Sequence, residues 1–191
     1  MLSRAHRAAL AVAAAAITTS FTLVPAHAEP SPQYGAAESV APSSLDLRLR
    51  HGYVSSPKSR QAACAARYVS CGLASTQPQS VKGVKNLRRC SGNNPAFREL
   101  DDETKPWPAT KVKSNIVTFT WVLTAAYRTG TWDYYIGNTR IARFDNQGAV
   151  PTSPVAHTVD LGGRTGRLKV LAVWNIADTD DAYYSCVDLQ R

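Results

Sequence analysis

The sequence predicts an all-β fold, an antiparallel sandwich of two sheets, and three observations carry that prediction. From residue 117 onward, apolar residues recur at every second position in short runs. Turn residues separate those runs at regular intervals, as at Gly137-Asn138 and Gly162-Gly163. No long amphipathic helix lies between the runs, which excludes a parallel sheet with crossover helices.

Taken in order, residues 1–28 read as a secretory leader. Arg4 and Arg7 supply the positive start, Ala8 to Val24 the apolar stretch, and Ala26-His27-Ala28 a small-x-small cleavage site. Thr18, Thr19, Ser20 and Thr22 dilute the stretch and argue against a membrane anchor. Glu29 to Arg50 is rich in Pro, Ser and Ala without apolar periodicity, and reads as a disordered linker or pro-segment. It ends on Arg50, so a trypsin-like cut there would make His51 a new amino terminus. The competing reading is that no second cut occurs.

From Arg60 to about Val112 no period is sustained, and Gly, Pro and Asn punctuate the chain. An irregular stretch of that length inside a compact domain is usually functional or tied by disulfides. Helical turns are predicted at Gln61–Tyr68 and Pro95–Leu100. Strands are predicted at Val117–Thr124, where Val117, Phe119, Trp121 and Leu123 alternate with threonines, and at Trp132–Ile136 and Ile141–Phe144, which flank a hairpin turn. Further strands are predicted over Val155–Leu161, Leu168–Asn175 and Ala182–Leu189. The Leu168–Asn175 run is apolar on both faces and so reads as a central strand.

Residues 51–191 form one predicted domain, long enough for a sizeable single core. The chain carries 22 Lys+Arg against 14 Asp+Glu. Setting aside Arg4, Arg7, Arg48, Arg50 and Glu29, Glu38, Asp46 leaves 18 against 11 in the domain. The positives are scattered with no arginine-rich run, which reads as solubility charge and not as a nucleic-acid surface. Cys64, Cys71, Cys90 and Cys186 all lie in the exported part, and an even count there argues for two disulfides. Three pairings are open. No cysteine pair has zinc-site spacing.

The run His51-Gly52-Tyr53-Val54-Ser55-Ser56-Pro57-Lys58-Ser59-Arg60 resembles the mature amino terminus of the lytic polysaccharide monooxygenases of the bacterial chitin-active branch, the chitin-binding type-4 domains. The resemblance extends through Gln77-Pro78-Gln79-Ser80-Val81, Thr118-Phe119-Thr120-Trp121 and Leu171-Ala172-Val173-Trp174-Asn175-Ile176 with Asp178-Thr179 and Ala182-Tyr183. It implies an immunoglobulin or fibronectin-III-like sandwich, whose irregular region builds part of a flat binding face. It also implies the pairing Cys64–Cys71 with Cys90–Cys186, and a copper ion held by the amine and ring of a terminal His51 and by a second histidine.

That second position is Tyr127 here, after Thr124-Ala125-Ala126. A phenol must lose a proton of pKa about 10 to bind a metal well, and its hard oxygen suits oxidised copper better than reduced copper. The competing reading makes Tyr127 an exposed aromatic on the binding face. Lys82 stands where the resemblance implies an acid, and Thr76-Gln77 where it implies tyrosine and glutamate. Tyr183 keeps the axial position, and Thr76, Gln77, Lys82, Asp178 and Asp181 are the expected substrate-binding positions. His157 alternates with Val155, Val159 and Leu161, and reads as a hydrogen-bonded core histidine.

The expected function is therefore a secreted, extracellular and monomeric binder of insoluble polysaccharide, chitin first, with weak copper binding and without redox turnover. The alternatives are a working copper monooxygenase that cleaves chitin oxidatively, and a secreted sandwich that binds a protein partner. No pair of carboxylates stands out as a glycosidase acid and base.

Overall fold

The computed structural model describes residues 52–191, and the expectations for residues 1–51, His51 included, lie outside that range. Nine strands and one short α-helix organise the described residues: β1 Gly52–Ser56, α1 Arg60–Ala65, β2 Lys82–Val84, β3 Thr110–Lys111, β4 Ile116–Leu123, β5 Thr129–Ile136, β6 Thr139–Asp145, β7 Val155–Asp160, β8 Arg167–Ile176 and β9 Asp181–Gln190. A three-stranded sheet runs β1-β4-β7, and a larger one runs β2-β9-β8-β5-β6 with β3 added parallel to β9. Every other strand pairing is antiparallel. The result is the expected two-sheet sandwich, with β8 central between β5 and β9.

Alternation decides which face each strand buries. In β4 the side chains of Val117, Phe119, Trp121 and Leu123 are buried, while Ile116, Thr118 and Val122 are exposed. They meet Trp132 and Tyr134 of β5, Leu168, Val170, Ala172 and Trp174 of β8, and Val187 and Leu189 of β9 in the core between the sheets. Odd-numbered β8 residues Leu171 and Val173 face the other way. With Tyr135, Tyr184 and Cys186 they form a second core, roofed by Cys64, Val69, Phe97, Leu100 and Trp107 of the irregular stretch. That stretch holds α1 and turns of 3-10 helix at Gly72–Ser75, Pro78–Ser80 and Pro95–Asp101. Both helical turns read from the sequence are present within a few residues.

Two bridges tie the roof: Cys64 to Cys71 within it, with Cα atoms 5.7 Å apart, and Cys90 to Cys186 of β9, 5.4 Å apart, which holds it to the large sheet. A third clamp was not legible beforehand. Ser59 caps α1 by accepting from the Ala62 amide at 3.2 Å. Arg60, 2% exposed, then forks onto Asp188 of β9 with Nε–Oδ2 at 2.7 Å and Nη2–Oδ1 at 3.1 Å. Its Nη1 donates to the Leu100 carbonyl at 2.8 Å, and Glu103 closes the cluster from the solvent side. The last two residues of the opening motif are thus structural. They fasten the roof to the central sheet. Among the described residues no helix is long and apolar enough to cross a membrane.

Candidate functional site

At the end of the sandwich where β1 and β9 begin and β8 finishes, three aromatic rings pack together. Trp174 and Tyr183 are opposite each other across the β8–β9 ladder, with ring centroids 5.1 Å apart. Tyr127, in the turn between β4 and β5, lies parallel to Tyr183 within 7° at 6.1 Å and tilted against Trp174 at 5.8 Å. The turn is pinned from below. The Trp174 indole donates to Thr129 Oγ1 at 2.7 Å, and that hydroxyl donates to the Tyr127 carbonyl at 2.9 Å. The Ala177 amide donates to the Arg128 carbonyl at 2.8 Å. Burial, then the nearness of Tyr127 and a side-chain hydrogen bond with it, push the Tyr183 hydroxyl well above the ordinary phenol range. Tyr183 is therefore a neutral phenol.

Gly52 explains how the chain reaches this end. It pairs with Leu123 in the β1–β4 ladder, and a Cβ there would sit 2.6 Å from Leu123 Cδ2 and 3.4 Å from the Trp174 ring. Only glycine leaves room for the strand to lie against that tryptophan.

Around the rings lies a rim of paired charges. Lys82 pairs in register with Tyr183, and its Nζ meets Asp181 Oδ2 at 3.2 Å. Arg128 Nη1 meets Asp178 Oδ1 at 3.4 Å. Both pairs are solvent-exposed and so contribute little to stability. They do keep the rim electrically near neutral. Thr76 is exposed and Gln77 half-buried, with both backbone amides on the Leu73 carbonyl. They join the face indirectly, through the Pro78–Ser80 turn that packs on β1.

Two expectations need correction. Tyr127 is not an exposed aromatic but a half-buried one, because Tyr183 and Trp174 cover its ring. Lys82, in the position where the resemblance implies an acid, does not leave a lone positive charge at the site, because Asp181 pairs with it. Sequence reasoning also missed Arg128 and Thr129. His157 sits where alternation puts it, its Nδ1 2.8 Å from the Tyr134 hydroxyl and its ring 4.3 Å from that of Phe144. Burial lowers its pKa to about 4, so the imidazole is neutral near neutral pH.

Comparison with known proteins decides the family. The family described as "Lytic polysaccharide mono-oxygenase, cellulose-degrading" matches residues 51–189. The chain belongs to the lytic polysaccharide monooxygenases. A lytic chitin monooxygenase of Streptomyces ambofaciens is 58% identical over 139 residues, 73% of this chain and 80% of that protein. One from Enterococcus faecalis is 32% identical over 163 residues, 73% of this chain and 84% of that protein. Among solved structures, a lytic polysaccharide monooxygenase of Jonesia denitrificans superposes with a TM-score of 0.70 at 42% identity, covering 73% of this chain and 99% of that one.

Lytic polysaccharide monooxygenases depend on copper, so the donors at this end can be tested against that ion. Among the described residues no group of three or more His, Cys, Asp or Glu could hold a metal. What the described residues offer beside Trp174 is two phenols, Tyr127 and Tyr183, the latter holding its proton firmly. His157, on β7 of the three-stranded sheet, has its Nδ1 engaged with the Tyr134 hydroxyl of β5. The described donor set does not fit a two-imidazole copper site.

Proposed function

We propose that this lytic polysaccharide monooxygenase homologue acts as a secreted chitin-binding protein with little copper turnover. The observation that carries the reading is Tyr127, hydrogen-bonded to Tyr183 and packed on Trp174 in the place where the resemblance implies a copper histidine. In this reading the leader is removed after Ala28 and the extracellular domain spans residues 51–191, as a monomer. The substrate lies across Thr76, Gln77, Lys82, Asp178 and Asp181, whose neutralised rim suits an uncharged, hydrogen-bonding polymer. The relatives named as lytic chitin monooxygenases support chitin as that polymer. If processing after Arg50 exposes the His51 amine, His51 is the remaining nitrogen donor, and copper binds weakly.

The 58% identity to a lytic chitin monooxygenase favours a second reading, a working oxidative enzyme. One comparison separates the two. Wild type and Tyr127→His, both with His51 as amino terminus, are assayed for binding to insoluble chitin, copper affinity and reductant-driven peroxide formation. We expect equal chitin binding, and copper affinity and peroxide formation at least tenfold higher in Tyr127→His, about 1.4 kcal/mol in affinity. Equal copper affinity and equal turnover would establish the enzyme reading instead. Loss of chitin binding in moderate salt would mark non-specific charge.

A further inference from the structure

The roof over the outer face of the large sheet stops short of its β5–β8 end, and a cleft of about 320 Å³ remains open there. Its floor is polar. Asp133 of β5, 2% exposed, accepts from Arg143 Nε at 2.6 Å and Nη2 at 2.9 Å, and from Asn175 Nδ2 at 3.0 Å. Asn175 Nδ2 also reaches Thr131 Oγ1 at 2.9 Å. One buried carboxylate thus fixes the rotamers of a guanidinium and an amide that both line the cleft. With its Nδ2 committed, Asn175 presents its Oδ1 as an acceptor. Lys85 and Asn86 also line the cleft and bring an ammonium and a second amide.

The cleft adjoins the aromatic end of the sandwich. Gly130 and Ala177 line it, and the Ala177 amide holds the Arg128 carbonyl. The Lys85 amide donates to the carbonyl of Asp180, next to the Lys82–Asp181 pair. A chain laid across the rim can therefore place a unit in it.

We infer that this cleft is a lateral subsite for one pyranose unit carrying hydroxyl and acetamido groups, and that Lys85 makes it reject a cationic sugar. The volume is at the lower end of small-molecule sites, the scale of a single ring. Amide and guanidinium groups held in place before binding lose little entropy when they engage hydroxyls. Two cations, Lys85 and Arg143, and one buried carboxylate line the cleft, and Arg143 already pairs with that carboxylate, so a protonated amino sugar meets net repulsion. Neutral N-acetylglucosamine does not. The inference rests on reading the chain as a polysaccharide binder, and it adds a site away from the rings.

The test is a titration of the isotope-labelled secreted protein, followed by amide and side-chain NMR shifts. The probes are the tetramers of N-acetylglucosamine and of glucosamine. We expect the N-acetylated tetramer to shift Lys85, Gly130, Ala177 and the Asn175 side chain, with binding about tenfold weaker in Asn175→Ala. Lys85→Glu, a surface change, should raise affinity for the glucosamine tetramer several-fold and so decides the matter if Asn175→Ala fails to fold. Absence of shifts, or shifts confined to residues around Tyr127, would overturn the subsite. So would unchanged affinity in a folded Asn175→Ala, or unchanged selectivity in Lys85→Glu. Failure to bind insoluble chitin at all overturns the parent reading, which the pull-down measures separately.

Discussion

Replacing Arg60 with methionine isolates what the end of the opening motif does. The guanidinium makes two bonds to Asp188, whose side chain is 3% exposed, and one to the Leu100 carbonyl. Methionine keeps the apolar stem but removes the guanidinium, whose Cζ lies 4.8 Å from the Trp107 ring centroid, and strands a buried carboxylate and a carbonyl. Removing one partner of such a buried pair costs about 3–5 kcal/mol. For a domain of this size that lowers Tm by on the order of 10 °C. Arg167 also reaches Asp188, at 3.3 Å, but it is half-exposed, so Arg167→Met should cost about 1 kcal/mol or less. Changing Asp188 to leucine in the Arg60→Met background removes the stranded charge and should recover more than half of the loss. Thermal and urea unfolding of the four proteins, with chitin binding checked at 20 °C, makes the comparison. If Arg60→Met and Arg167→Met cost the same, the buried clamp is not what fastens the roof to the sheet.

Three other outcomes follow from the same structure. The folded-state pKa of His157 is about 4 against an ordinary 6.5, so the unfolded chain binds the extra proton between those values. Stability is therefore full above pH 6.5 and falls as pH drops toward 4, by about 2 kcal/mol after discounting for the ring's partial exposure. A His157→Phe variant should flatten the Tm–pH curve in that window, and an unchanged slope would remove His157 as its cause. Glu103, held at about 2 by Arg60, titrates below the window and does not confuse the result. Replacing both Cys90 and Cys186 by alanine opens a loop with a sequence separation of 96 and should cost about 2 kcal/mol more than replacing Cys64 and Cys71, separated by 7. Equal losses on denaturant unfolding would mean that native contacts, not loop entropy, set the value. Gly52→Ala should lower Tm and weaken chitin binding together, because Leu123 or Trp174 must move to admit the methyl. A neutral effect would show that β1 can shift without disturbing the face.

The sandwich was legible because its strands bury one face each, and burial writes a period of two into the sequence. Val117, Phe119, Trp121 and Leu123 show it, and β8 betrays its central place by being apolar on both faces. The roof left no such trace. Its shape comes from two bridges and one arginine, and the partners of Cys90 and Arg60 lie at the far end of the chain. Asp133 was a readable exception that went unread. A carboxylate between Trp132 and Tyr134 runs against strand preference, and it turns out to hold Arg143 and Asn175 in the cleft.

The candidate site divides along the same line. The substitution at position 127 is visible in the sequence, but its meaning depends on what covers the ring. Tyr183 and Trp174 arrive from the last two strands, and no local pattern around Thr124-Ala125-Ala126 announces them. Charge is just as non-local, since Lys82, which stands where the resemblance implies an acid, finds its carboxylate 99 residues away. Both corrections bear on the proposed chitin binding. A ring held by two neighbours and a rim of closed ion pairs make a rigid, nearly neutral surface. Such a surface loses little entropy on meeting a flat polymer and repels none of its groups. Side-chain order around Tyr127 that is unchanged on adding chitin would bear this out. Marked ordering on binding would show that the face is assembled by its substrate.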